Sequence, residues 1–525
     1  MARKWWTLIA VCVGVFMLLL DITIVNVALP DIQRAFRASL SDLQWVIDAY
    51  ALMLAALLLT AGTIADRLGR RRVFAVGISI FTIGSLLCGL AQGSLFLSLA
   101  RAGQGIGGAI MFATSLALLA QAFQGKDRGV AFGVFGAITG VAIAVGPVLG
   151  GAITSGLSWR WIFFVNIPIG IVALALTLLR VEESRNAMAK RPDWIGFATF
   201  SGGLGALVFG LIRSNVNGWG SAVVIASLVA ASVLLIAFVV AERLQQEPMF
   251  DLRLVQVPAF DGGLIAAVAI SASLFSLLTY IVLYFQNVLG LSAIATGVRF
   301  LPLTGAIFVA AGLAGRLTSR VPIRMLIASG FVLIGAGLLL MRGLVASSGW
   351  SHLLLGMIVS GIGAGLVNVP LAATAVGVVE PARAGMASGI NSTFRQVGIA
   401  TGIAVLGTVF ATRLSTVVAT RLDATALGSH AHQIAGSIGG GNAAQALAAI
   451  PSPLRGLAAE AARTGFVDGL NLILLVGAVV SIGAAALTFV LIRQRDFVAA
   501  AQAGLAPEAE MEREPAACFG DCPAA

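Results

Sequence analysis

Fourteen apolar stretches of about 18 to 27 residues, beginning near Trp5, Leu43, Val73, Leu95, Gly129, Trp161, Asp193, Ser221, Phe260, Ala295, Val321, Ser351, Gly385 and Phe466, leave this chain few folds to choose from. A bilayer core offers no water to unpaired backbone groups, so segments of that length satisfy their own amides by forming helices. Hydrophobic residues make up 59% of the 525 and charged residues 11%, with a mean hydropathy of +0.99. No soluble core buries that much apolar surface. The expected fold class is an all-α polytopic membrane protein with 14 transmembrane helices.

A net charge of +10 would suggest nucleic acid as the partner of a soluble protein. Here the basic residues sort by side instead. With the N-terminus taken as cytoplasmic, about 21 Lys and Arg fall in cytoplasmic loops and tails and about nine outside; Arg67, Arg70, Arg71, Arg72, Arg180, Arg185, Lys190, Arg191, Arg316, Arg320 and Arg324 are among the former. The expectation is a multi-pass protein of the cytoplasmic membrane with both termini inside, a monomer whose partners are the bilayer, small amphiphiles and protons, not nucleic acid. All eight Trp fall at expected span ends, where indole prefers the headgroup level. The apolar run after Arg3 and Lys4 is too long for a signal peptide and lacks a small-residue cleavage site, so helix 1 is expected to stay attached. Cys12 and Cys88 sit in spans, Cys518 and Cys522 in the tail, and no His or further Cys stands near them; reduced thiols and no metal are expected.

Asp21 is a carboxylate stranded in an apolar helix, between Leu8–Leu20 and Ile22–Pro30. Ionisable groups in that setting cost a few kcal/mol or more and face a protein interior or a water-filled cavity. A carboxylate stripped of solvent is suited to binding and releasing a proton, which points to a proton-coupled carrier. Helix 4 carries Arg101, Gln104, Gly105 and Gly108 on one face. At 1.5 Å per residue Arg101 lies about 9 Å below the outer surface and Asp21 about 13 Å, so the two can pair. Burial raises the carboxyl pKa and a nearby guanidinium lowers it, so a small rearrangement would move the proton; the alternative is a static ion pair joining helices 1 and 4.

Asp48, about one turn inside helix 2, is either a second protonatable group or a residue hydrated from outside. Helix 13 presents Ser388, Asn391, Arg395, Gly398 and Gly402 on one face, with Arg395 lining a cavity or pairing with a backbone carbonyl; Arg299 snorkels outward at the start of helix 10. Gly129, Gly133, Gly136 and Gly140 stripe helix 5, which ends in Gly146-Pro147-Val-Leu-Gly150-Gly151; small residues permit close helix approach and Pro147 invites a kink. Tyr280 and Tyr284, one turn apart on helix 9, are either contacts for a ring-bearing substrate or packing residues.

Self-similarity divides the chain. Gly105-Ile-Gly-Gly-Ala resembles Gly361-Ile-Gly-Ala-Gly, and Arg128–Gly133 resembles Arg383–Gly389, both at an offset near 256 residues; Gly62–Arg70 has a degraded counterpart in Gly312–Arg320. The expected organisation is a six-helix bundle over 1–192, two inserted helices over 193–245, a second bundle over 246–495 with a long outer loop at 412–465, and a disordered tail at 496–525. Gly439 to Gly441 mark flexible backbone in the loop. Parallel halves describe a carrier with a site between them near the midplane. No ATP-binding or hydrolase motif occurs, so no enzyme activity and no cofactor beyond an ion gradient is expected.

Together these motifs resemble the major facilitator superfamily, specifically its fourteen-helix drug:proton antiporter branch. Leu20-Asp21-Ile-Thr-Ile-Val-Asn26-Val-Ala-Leu-Pro30 is similar to that branch's helix 1 signature, Gly62–Arg72 to the superfamily loop motif, Arg101–Gly108 to the helix 4 motif and Gly140–Gly151 to the antiporter motif. Trp159-Arg-Trp-Ile-Phe-Phe-Val-Asn166-Ile-Pro168 resembles the start of helix 6. The resemblance implies the major facilitator fold, proton coupling through Asp21 and Arg101 with Asp48, and gating by Gly146, Pro147, Gly150 and Gly151. It also implies a cytoplasmic charge lock of Gly62, Asp66, Arg67, Gly69 and Arg70. Asn26, Gln104, Tyr280, Tyr284, Asn368, Asn391 and Arg395 are the expected cavity residues. With Asp21 and Asp48 against Arg101, Arg299 and Arg395, the cavity is not strongly anionic, which favours neutral, monocationic or zwitterionic amphiphiles over dications. The expected function is proton-driven export of such compounds; a dedicated exporter of one metabolite or lipid and a non-transporting scaffold or sensor are the alternatives.

Overall fold

The computed structural model describes residues 3–123, 126–185, 193–245, 248, 250, 252–318, 320–379, 384–423, 425–439, 443–493 and 496–497. The first part comprises α1 (Arg3–Phe36), α2 (Leu40–Leu68), α3 (Arg70–Gly89), α4 (Ser94–Ala122), α5 (Lys126–Gly156), α6 (Trp161–Phe164) and α7 (Asn166–Arg180). Then come α8 (Trp194–Asn217), α9 (Ala222–Leu244), α10 (Pro258–Ile270), α11 (Ser276–Leu283), α12 (Ala293–Arg299) and α13 (Leu301–Leu317). The remainder is α14 (Ile323–Leu340), α15 (Ser351–Gly377), α16 (Ala384–Asp423), α17 (Ala431–Gly439), α18 (Ala443–Ala448) and α19 (Arg455–Leu491). No strand occurs among the described residues. Among them, 13 spans are long and apolar enough to cross a membrane, and the 31-residue α5 lies where the remaining span is expected.

Local chemistry sets the helix boundaries. Arg37 turns the chain with φ 52°, and Ser39 then caps α2: its hydroxyl accepts from the Asp42 amide at 3.1 Å while Asp42 accepts from the Ser39 amide at 2.9 Å. Gly69 breaks α2 from α3 with φ 113°, which disfavours a side chain. Asp193 caps α8 through the Gly196 amide at 2.6 Å. Spans 6, 9 and 10 are interrupted: span 6 divides between α6 and α7, span 10 between α12 and α13, and π-helical turns at Ser271–Phe275 and Tyr284–Val288 flank α11.

The repeat offset carries over into packing. A Cβ on Gly105 would lie 2.6 Å from the Tyr50 carbonyl of α2, and one on Gly361, 256 residues later, 2.5 Å from the Leu303 carbonyl of α13. Gly107 meets α3 at Phe81 N, and Gly363, at the same offset, meets α14 at the Gly330 carbonyl. Small residues thus bring equivalent helices together in each half. One core fills the first bundle around Met17, Phe74, Phe81 and Met111. Another joins the outer half of α1 (Ile24, Ala28, Ile32) to Tyr280, Phe285 and Phe410. The inserted α8 packs Phe200, Leu204 and Val208 against Ala51 and Leu52 of α2 and Ala400 and Ala404 of α16. Ile225, Val229, Val233 and Ile236 leave α9 apolar on its exposed side, a lipid-facing pattern.

The loops holding Arg70 and Arg180 lie at one face, the one the charge distribution predicts to be cytoplasmic. At the opposite face the expected outer loop 412–465 is largely helical. α16 runs on to Asp423, α19 begins at Arg455, and Ala431, Ala435 and Ile438 pack with Leu414, Val418, Ala458 and Ala461. Gly439 seats against Ser415, so its role there is close packing. Alanine and glycine read as flexible in sequence, but here their small size lets short helices close on one another. Gly440, Gly441, Lys190, Arg191 and residues 498–525, including Cys518 and Cys522, lie outside the described residues.

Candidate transport site

Asp21 is fully buried, at 0% side-chain exposure, and Arg101 is 2% exposed. Arg101 Nη1 donates to Asp21 Oδ2, while Gln104 Nε2 and Asn166 Nδ2 each donate to Asp21 Oδ1 at 2.9 Å. The guanidinium is held from its other sides. Its Nε donates to the Val46 carbonyl at 3.2 Å, Nη1 donates to Gln104 Oε1 at 2.7 Å, and its carbon lies 4.2 Å from the centre of the Tyr50 ring. Asn166 is set in turn by Ser85, whose hydroxyl lies 3.0 Å from Asn166 Nδ2 and donates to the Phe163 carbonyl at 2.9 Å. A charged pair shorn of water is tolerated only with its remaining lone pairs and protons engaged, as here by α1, α2, α3, α4 and α7.

Gln104, expected to line the cavity, belongs to this cluster because its i+3 spacing from Arg101 puts both on the face toward α1. The sequence reading also missed Asn166, Ser85 and Tyr50. Asn166 carried a signal, a lone amide inside the apolar run that opens span 6, but only the fold brings it to Asp21.

The Gly-Pro segment of α5 lies directly beside this cluster. A Cβ on Gly146 would stand 1.9 Å from Thr23 Oγ1, and one on Gly150 2.7 Å from Ile24 Cγ1. On its other side the segment meets α12: a Cβ on Gly151 would stand 2.4 Å from the Ala293 carbonyl and one on Gly297 2.2 Å from the Pro147 carbonyl, while Ser155 accepts from the Ile294 amide at 3.0 Å. α5 is therefore wedged between the helix bearing Asp21 and the second half. Further contacts hold the two halves together at the same level: Gln286 Nε2 donates to the Val27 carbonyl at 2.8 Å, Thr279 to Asn26 Oδ1 at 3.4 Å, and Gln44 Nε2 to the Ile403 carbonyl at 3.2 Å. The halves are closed against each other at this level.

Asp48 is fully buried and neither carboxyl oxygen has a hydrogen-bond partner, which corrects the reading of a residue hydrated from outside. Its helix packs against α16, and that seam shuts out the solvent expected from depth alone. Tyr280 and Tyr284 are fully buried packing residues in this closed state, not exposed ring contacts. Tyr280 donates to the Ile403 carbonyl at 3.2 Å and packs on Phe410; Tyr284 donates to the Ser348 carbonyl at 2.9 Å and stacks on Phe466. Arg299 does not reach freely outward: it donates to the Ala295 carbonyl at 3.0 Å and lies 5.2 Å from the Trp350 ring.

At the face that holds the α2–α3 turn, Arg70 Nη1 donates to Gln121 Oε1 at 3.2 Å and Arg67 is exposed; the side chain of Asp66 lies outside the described residues. The carboxylate that meets the loop is Glu183, absent from the sequence reading. It accepts from the Arg71 amide at 3.1 Å and lies 3.7 Å from Arg72 Nε and 3.9 Å from Arg71 Nε. A Cβ on Gly69 would collide with it at 2.7 Å, so this glycine serves both turn and clearance. Gly62 has open space around it. In the second half, Arg395 Nη2 donates to Asn368 Oδ1 at 2.8 Å, bringing α16 and α15 together as a polar patch that includes Asn391.

A family model described as Major Facilitator Superfamily matches residues 11–403. The chain is 39% identical over 420 residues to the multidrug resistance protein Stp of Mycobacterium tuberculosis, covering 79% of this chain and 78% of that one. It is 38% identical to the puromycin resistance protein pur8 of Streptomyces alboniger, covering 78% and 82%. The tetracenomycin C resistance and export protein of Streptomyces glaucescens is 33% identical over 92% of this chain and 91% of its own. Among solved structures, an inward-facing, occupied bacterial homolog of the human lysosomal transporter Spinster shares the fold at a TM-score of 0.63 with 16% identity, covering 94% of this chain and 98% of that one. The all-helical fold and these relatives make this a multi-pass membrane transporter of small molecules, not an enzyme, and the chain belongs to the major facilitator superfamily.

Proposed function

We propose that this transporter exports amphiphilic drugs or antibiotics across the cytoplasmic membrane, driven by protons moving inward. Drug resistance in the names of relatives from two genera supports the cargo class. The observation that carries the coupling is the Asp21 cluster: a buried carboxylate with a guanidinium and two amides aimed at it, one helix contact away from the seal between the halves.

The cycle follows from that geometry. Protonation of Asp21 from outside removes the charge that holds Arg101, and the halves rearrange to close the outer side. Proton loss to the cytoplasm restores the pair, the state the structure resembles, and cargo loads from within. Outward opening then releases cargo and re-exposes Asp21. At 100 mV, one proton charge moving inward contributes about 2.3 kcal/mol per turnover, and a pH gradient adds to it. Both termini face the cytoplasm and the monomer is the working unit in this reading. The length of the match to the tetracenomycin C exporter favours a second reading, a dedicated exporter of one self-made compound using the same machinery.

The test is efflux of a fluorescent amphiphile from vesicles with and without an imposed proton gradient, comparing wild type with Asp21→Asn. Gradient-driven transport that disappears in the variant is expected. Transport indifferent to both gradient and substitution would overturn the coupling.

A further inference from the structure

Arg395 is a cation within α16 for which the described residues supply no counter-charge. Its one described hydrogen bond goes to a neutral amide oxygen, Asn368 Oδ1 at 2.8 Å, and it forms no ion pair among the described residues. α15 has no acidic residue, and the first on α16 is Asp423, 28 positions on and about 42 Å along the helix. Arg101 at comparable isolation is surrounded by a carboxylate, an amide, a carbonyl and a ring. The contrast matters because a guanidinium in a membrane interior is expensive to keep unpaired.

Two further features give the position a direction. Asn391 lies one turn away on the same helix, buried, with its amide nitrogen unpartnered, so the patch offers two kinds of N–H donor and no free charge of opposite sign. Ile403, whose carbonyl accepts from Gln44 and Tyr280 in the outer seal, is eight positions further along α16, about 12 Å at helical rise. Arg395 therefore sits on the cytoplasmic side of the closed seal, where cargo arriving from within would meet it.

We infer that Arg395, steadied by Asn368 and aided by Asn391, binds an anionic oxygen group of the cargo, a carboxylate or ionised phenol carried on an apolar body. This rests on the exporter reading above and gives its cargo an anionic group, which the count of charges in the spans did not anticipate. The planar donor fork of arginine suits a carboxylate, and in a membrane interior such a charge-assisted pair discriminates strongly against an uncharged isostere.

The probes are 11-(dansylamino)undecanoate and its methyl ester, which share an apolar body and fluorophore and differ in the charge. Binding to the purified full-length protein in detergent is read by dansyl fluorescence without any gradient, so failed proton coupling and failed anion recognition are separate results. Wild type is expected to prefer the acid by about tenfold, Arg395→Gln to erase that preference, and Arg395→Lys to restore part of it. Asn391→Leu is expected to lower the preference a few-fold and serves as the test if Arg395→Gln does not elute as a folded protein. Equal affinity of wild type for acid and ester, or a preference unchanged in Arg395→Gln or, where that variant does not fold, in Asn391→Leu, would overturn the inference.

Discussion

Gly146→Ala adds one methyl group where α5 touches α1, and the structure sets the size of the effect. The new carbon would stand 1.9 Å from Thr23 Oγ1 and 2.7 Å from Thr23 Cβ. Carbon contacts settle near about 3.5–4.0 Å, so the two helices must separate by roughly an ångström or Thr23 must leave its rotamer. Overpacking of this kind costs about 1–3 kcal/mol. The close approach belongs to the state with the outer side sealed, so the penalty falls on that state and shifts the conformational balance by about 5- to 150-fold. Gradient-driven efflux of a fluorescent amphiphile from vesicles should slow at least about fivefold at matched protein level, the lower end of that shift. Thr23→Gly removes both clashing atoms, so Gly146→Ala/Thr23→Gly should recover toward the rate of Thr23→Gly alone. A Gly146→Ala protein working at the wild-type rate, or a double variant as slow as Gly146→Ala, would refute the argument that this contact sets the seal.

Asp21→Asn leaves Arg101 buried without its counter-charge, a loss of roughly 3–5 kcal/mol, so thermal unfolding in detergent should come at lower temperature than in Asp21→Asn/Arg101→Gln, where no charge is stranded. Asn166→Leu removes one of the donors to Asp21 Oδ1 and should slow gradient-driven efflux at matched protein level; an unchanged rate would count against its role. Asp48→Asn exchanges a buried carboxyl without partners for a neutral amide and should leave the fold intact by thermal unfolding while changing the pH dependence of efflux if the residue titrates during the cycle. Glu183→Gln weakens the Arg71 and Arg72 contacts at an exposed face, so stability should change by less than about 1 kcal/mol while the transport rate falls.

The spans and the pairing of Asp21 with Arg101 could be read before any coordinates, because each rests on a one-dimensional signal. Hydropathy and Trp placement mark the bilayer, and helical rise gives depth. What could not be read is what lies sideways from a helix. Asn166 sits 145 positions from Asp21 and Glu183 lies 112 beyond Arg71; neither spacing has a period to betray it. Depth also misled: Asp48 is near an end of its helix, yet α16 covers it, and lateral cover, not distance from the surface, decides hydration. Tyr280 and Tyr284 look like cavity rings from their one-turn spacing, but the fold spends their hydroxyls on the carbonyls of Ile403 and Ser348.

In the proposed cycle, Thr23 and Ile24 are the residues through which a proton on Asp21 would be felt at the seal. They follow the carboxylate by two and three residues, and both are the atoms against which Gly146 and Gly150 close. Helices move as stiff bodies, so a change in how tightly Asp21 grips Arg101, Gln104 and Asn166 must shift or rotate this whole turn of α1. On the far side of α5, Pro147 and Gly151 meet α12 through backbone atoms, where no side chain can flex to absorb the movement. A segment in backbone contact on one side and within a side chain's width of the carboxylate helix on the other transmits displacement with little loss. The glycines are therefore a mechanical requirement rather than general small-residue packing. Substitutions at Gly146 or Gly150 should therefore uncouple proton movement from cargo movement, while an alanine at Gly156, where a Cβ meets nothing within 4 Å, should be neutral in the same vesicle assay.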